Sequence, residues 1–162
     1  MMEWKAMGAG CALALVASVA WAHSGAKGVV KERMTAMKDM AGTMKAMAPM
    51  MRGQAPYDAA AVRDGAARIA AHGGDAMTRL FPEGSGHAPS EVKPEVWQDW
   101  QAFSELAAEL EARATALGLA AGNGLGAGTP SGPLAEQPAN EVFVQVGRSC
   151  SACHSRFRIE TD

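Results

Sequence analysis

Between residues 27 and 52 the apolar side chains recur every three or four positions, at Val30, Met34, Met37, Ala41, Met44, Ala48 and Met51. That spacing lays one apolar stripe along a helix, with Lys31, Lys38, Asp39 and Lys45 away from it. Pro49 is expected to end or kink the helix and Gly53 to stop it. A second, alanine-rich run starts after Pro56, with Asp58 as its N-cap, and Gly73-Gly74 weakens its middle or end. Residues 82–94 are rich in Pro, Gly and Ser and read as a loop. A third helix opens at Pro94, its apolar positions being Val96, Trp97, Trp100, Phe103, Leu106, Ala107, Leu110, Ala114 and Leu117. Residues 121–140, "AGNGLGAGTPSGPLAEQPAN", have the composition of a flexible linker. A fourth helix covers about 140–158. Its opening "VFVQV" alternates like a strand but has no partner segment, so it is assigned to the first turns of the helix. No internal repeat interrupts this pattern. The expected fold is all-α, an antiparallel four-helix bundle.

The N-terminus changes the domain boundary. Residues 1–22 combine Lys5, an apolar run and the small-x-small sequence Ala20-Trp21-Ala22. This is the form of a signal peptide cleaved before His23. The run is short of the roughly 20 residues a membrane-spanning helix needs, and Cys11 would leave with it. The mature domain is then 23–162, exported and expected in the periplasm, with no membrane span. It keeps two cysteines in an oxidising compartment. A net charge of -2 and the lack of a basic stripe exclude nucleic acid as a partner. Eleven methionines, one tyrosine and few β-branched residues favour helices over sheet.

The candidate chemistry is concentrated in "VGRSCSACHSRFR". C-x-x-C-H is the attachment pattern of c-type haem. Positions three apart share a helical face, so both sulfurs reach the vinyl groups of one porphyrin. His154 follows directly and can supply the proximal nitrogen to the iron. Three blander readings compete. A disulfide between Cys150 and Cys153 would be strained and close almost no loop. A thioredoxin-type pair wants a βαβ context. A zinc site needs two more ligands at paired spacing, which His23, His72 and His87 do not provide. His72 and His87 read as solvent-exposed, leaving a bis-histidine haem as a minor alternative. Trp97, Trp100 and Phe103 read as core or haem-packing residues. Met34, Met37, Met40, Met44, Met47 and Met51 form a stripe that is more often core than ligand, and spacing alone does not choose among them.

Several segments in order resemble the cytochrome c′ family, including its low-spin cytochrome c556 members. They are "RMTAMKDMAGTMKAMAPMMRG", "PYDAAAV", "LFPEGSG", "PEVWQDWQAF" and "VGRSCSACHSRFR". The resemblance covers about Arg33 to Arg158. It implies one haem c, with Cys150 and Cys153 as thioether anchors and His154 as proximal ligand. It also implies Arg158 as the basic residue one turn beyond that histidine, Phe157 as the aromatic beside it, Arg33 near a haem propionate, and Met37 facing the distal side of the iron. The 121–140 linker departs from the family in its length and glycine content. The expectation is a periplasmic electron carrier rather than an enzyme, with Met37 as sixth ligand and other redox proteins as partners. The alternative is an open distal site that binds nitric oxide or carbon monoxide. A homodimer through the first two helices is a further implication of the resemblance, and a structural helical protein with an incidental disulfide is the outlying reading.

Overall fold

The computed structural model describes residues 25–126 and 132–160. The expected signal segment 1–22 and the expected cleavage before His23 lie outside them. Six α-helices are present among the described residues: α1 (Gly28–Met51), α2 (Ala59–Ala70), α3 (Gly74–Thr78), α4 (Glu95–Gln98), α5 (Trp100–Ala120) and α6 (Ala139–Phe157). The four long ones, α1, α2, α5 and α6, form the expected four-helix bundle. The short α3 and α4 flank the 79–94 segment.

The helix ends follow local chemistry. Asp58 caps α2, its Oδ1 accepting from the backbone N–H of Ala60 at 2.9 Å and of Ala61 at 3.1 Å. Pro49 lies inside α1 rather than ending it. The helix stops at Arg52 through a Schellman pair, with Gly53 N–H donating to Met50 O and Gln54 N–H to Pro49 O. Gly53 supplies the left-handed φ of 67° which that motif requires.

Two expectations are corrected. The third helix is not continuous from Pro94, because Asp99 leaves helical geometry (φ -128°, ψ 59°) and its side chain caps α5 at Ala102 N. Trp100 consequently sits at the start of a new helix and is 41% exposed rather than core. The 121–140 linker is ordered along its described parts. Asn123 donates to Ala135 O and Gln137 O, Asn140 and Gly126 exchange two hydrogen bonds, and Ala139 N donates to Gly124 O. Glycine-rich composition gave no sign of the asparagines that fasten it.

The core runs along α5, which packs against α2 on one side and α6 on the other. Ala66, Ala107, Ala114, Ala120 and Ala139 are fully enclosed, and their small side chains let the helices approach closely. A Cβ on Gly73 would lie 2.7–2.8 Å from Glu111 backbone and Cβ atoms of α5, so this position admits only glycine without movement.

Candidate functional site

Helix α6 carries Cys150 and Cys153 one turn apart, both half-buried and unbonded, with His154 next in the chain. Burial raises the Cys150 thiol. It pushes Cys153 up to about 11, with Cys150 as a second, smaller cause. Both sulfurs are therefore neutral thiols near neutral pH, which works against the thiolate chemistry of a redox pair. His154 is exposed overall, yet partial burial is the largest influence on it. Burial and Arg158 pull its pKa below the ordinary histidine value, and Glu91 opposes them. Among the described residues no cluster of three or more His, Cys, Asp or Glu is placed to hold a metal ion.

Two cavities, of about 280 and 340 Å³, meet at this turn. They share four lining residues: Met37 and Ala41 from α1, Cys153 and His154 from α6. Around the first stand Phe81, Val96, Phe103 and Phe157; around the second, Met40, Met44, Ile69, Leu106 and Leu110. The stripe on α1 is thus divided by the fold. Met34 and Met37 reach the first cavity, Met37, Met40 and Met44 the second, and Met47 and Met51 are buried away from both. Met37 is the one methionine that lines both.

The wall of the first cavity is fastened at its edge. Phe157, 3% exposed, meets Phe103 edge-on at 5.5 Å, and α6 ends there. The chain then runs extended beside residues 91–93. Lys93 N donates to Phe157 O at 2.9 Å and Ile159 N to Glu91 O at 2.7 Å. Arg158 donates to Glu91 Oε2 through Nε at 2.8 Å and through Nη2 at 2.7 Å.

Arg33 is 3% exposed rather than a solvated surface residue. Its guanidinium donates to Leu80 O, Ser85 Oγ, Ser85 O and Ser90 Oγ and lies 4.4 Å over the Phe81 ring. Burial lowers its pKa. His72 pairs with Asp39 at 3.0 Å and is half-buried, whereas His87 is exposed in its loop; neither lines a cavity. Trp97 is half-buried, its Nε1 donating to Phe81 O at 2.9 Å, and Phe103 is 1% exposed. Glu91, Ser85 and Ser90 were not singled out from the sequence. They sit in a stretch legible only as loop, and their partners Arg33 and Arg158 lie more than 50 residues away.

The family model for Cytochrome C' matches residues 28–158. The chain is similar to cytochrome c-556 of Agrobacterium tumefaciens (strain II Chrys), 31% identical over 138 residues that span 82% of this chain and 98% of that protein. It is similar also to cytochrome c-554 of Cereibacter sphaeroides, 28% identical over 64% of this chain and 71% of that one. Among solved structures, cytochrome c′ from Thermochromatium tepidum has a TM-score of 0.66 at 27% identity, covering 82% of this chain and 95% of that chain. A nitric oxide complex of a cytochrome c prime variant from Alcaligenes xylosoxidans has a TM-score of 0.66 at 28% identity, covering 82% and 94%.

Proposed function

This chain belongs to the cytochrome c′ family and is a haem-binding c-type cytochrome, and we propose that it carries single electrons on a haem whose iron His154 and Met37 would ligate. The residues on the page fit haem c. Two neutral thiols stand one turn apart beside two cavities walled mainly by apolar side chains, with an imidazole at the same turn. Cys150 and Cys153 would hold the haem by thioether bonds, each thiol supplying its sulfur and its hydrogen to a vinyl group, so that no oxidant would be needed. The bound haem supplies a one-electron iron couple, and a Met/His ligand pair raises its potential. Phe81, Phe103 and Phe157 form part of the apolar wall of the first cavity.

The observation that carries the reading is the placement of Met37, the one methionine shared by both cavities, facing the same space as His154. Arg33 is assigned by resemblance to a haem propionate. As folded, its four terminal N–H groups already serve Leu80, Ser85 and Ser90, so only Nε–H is left for that role. Arg158 completes the set on the histidine side. The reading extends to export by residues 1–22, a periplasmic location, redox proteins as partners and no catalytic turnover. It also includes a homodimer through α1 and α2, whose outer groove is walled partly by the small residues Gly42, Ala46, Ala61 and Gly65.

A second reading, binding of nitric oxide or carbon monoxide, is favoured by one observation. The 340 Å³ cavity beyond Met37 is lined by Ile69, Leu106 and Leu110, space that a displaced thioether or a small uncharged gas fits. Solved relatives are complexes with those gases.

Visible and near-infrared spectra of the haem-loaded protein and of Met37→Ala decide between the two. Electron carriage by Met37 ligation predicts a low-spin protein with a methionine–iron charge-transfer band, which the variant loses as it becomes high-spin. A wild type that is already high-spin, and unchanged by the substitution, overturns the ligand assignment and puts gas binding first.

A further inference from the structure

Among the described residues, Glu91 is the only carboxylate lining either cavity. It is held with unusual firmness for a loop residue. Its carbonyl accepts from Ile159 N at 2.7 Å, and two residues later Lys93 N donates to Phe157 O at 2.9 Å. Its carboxylate takes two N–H groups of Arg158. Arg158 lines the same cavity as His154, four residues after it on the chain. Arg33, the buried cation of that wall, is spent on carbonyl and hydroxyl oxygens and on the Phe81 ring and pairs with no carboxylate among the described residues, whereas Arg158 is half-exposed. Two opposite charges are thus fixed beside the residue read here as the iron's nitrogen ligand.

Charges already in place act on a change of charge without reorganising when it occurs. The oxidised iron site carries one more positive charge than the reduced one. A fixed carboxylate nearby favours the oxidised state, and a fixed guanidinium favours the reduced state. We propose that Glu91 and Arg158 form an opposed pair that sets the reduction potential of the bound haem, Glu91 lowering it and Arg158 raising it. This rests on the reading that His154 ligates the iron.

The test is a spectroelectrochemical titration of the haem-loaded wild type, Glu91→Gln, Arg158→Gln and the double variant. Arg156→Gln gives the background effect of a surface charge, since Arg156 pairs with Asp99 and lines neither cavity. A unit charge on the order of 10 Å away in a half-exposed setting changes an electron-occupancy ratio roughly two- to tenfold. At the wild-type midpoint, Glu91→Gln is therefore expected to raise the ferrous-to-ferric ratio by that factor and Arg158→Gln to lower it. The double variant returns close to wild type, and added salt shrinks both single shifts, because the pair is half-exposed. Loss of packing alone would lower the melting temperature and move both single variants the same way. Shifts of one sign, or none beyond that of Arg156→Gln, overturn the proposal. Should Glu91→Gln fail to fold, Arg158→Gln against the charge-conserving Arg158→Lys decides it: the first must lower the ratio and the second must not. The absorption spectra of the same samples test the ligand separately. A spectrum without a histidine-ligated c-type haem overturns the axial assignment, whereas an intact spectrum with unmoved ratios overturns the charge pair alone.

Discussion

Arg33 shows how much one side chain does once the fold surrounds it. From sequence it is an arginine beside a methionine stripe, given a propionate role by resemblance alone. In the folded chain it is enclosed, and its guanidinium ties α1 to Leu80, Ser85 and Ser90 across the mouth of the first cavity. A methionine there would keep the volume and remove the donors, leaving Leu80 O and Ser85 O without them. Arg33→Met is expected to cost about 3 kcal/mol, the sum of lost charged hydrogen bonds and unpaired buried acceptors. Urea unfolding of the haem-loaded protein measures it, and a loss under 1 kcal/mol would mean that water replaces those contacts freely. The two cysteines make the opposite case. Their spacing and the following histidine are local facts, and the helix merely places them where the pattern requires.

At the level of elements, the pieces joined by short connections are the ones that periodicity predicts well. The α1 stripe, the Asp58 cap and the extent of α6 are all local, since each depends on neighbours within one or two turns. The break at Asp99 is not. A helix-forming sequence on both sides gives way to an N-cap there, and Arg156 from α6 pairs with the same carboxylate. Gly73 is a further non-local case. Between α2 and α3 it allows the chain to touch α5 at Glu111, and an added methyl group would sit 2.7 Å from Glu111 Cβ. Gly73→Ala is expected to destabilise the protein by about 2 kcal/mol through overpacking, because the obstruction includes backbone rather than a flexible side-chain end. Thermal unfolding checks this, and an unchanged melting temperature would show that the α2–α3 turn moves without cost.

For the molecule as a whole, α5 and α6 bury one side of the core while α1 closes the other across the two cavities. Apolar side chains lining those cavities lack packing partners until the cavities are filled. Cys150→Ser with Cys153→Ser removes covalent attachment of the haem. At the usual cost of unfilled core volume, the haem-free protein is expected to be less stable by on the order of 5 kcal/mol. Differential scanning calorimetry of the haem-loaded wild type against the double variant measures the gap. Equal melting temperatures would show that the walls collapse together without haem.

The four-helix class, the haem attachment pattern and the Asp58 cap were legible in the chain, because each is set by residues within a few positions of one another. Spacing could not choose Met37 from six methionines on one stripe; the family resemblance singled it out. Periodicity says that they share a face, and only the packing of α1 against α6 says which of them borders both cavities. Nor could it show Glu91 meeting Arg158, or Arg33 reaching Ser85. These pairs are joined across 50 to 70 positions by the way loop 79–94 folds back between two helices. The linker misled for the same reason. Glycine content measures what a segment is free to do alone, whereas Asn123 and Asn140 find their acceptors only when α5 and α6 lie side by side.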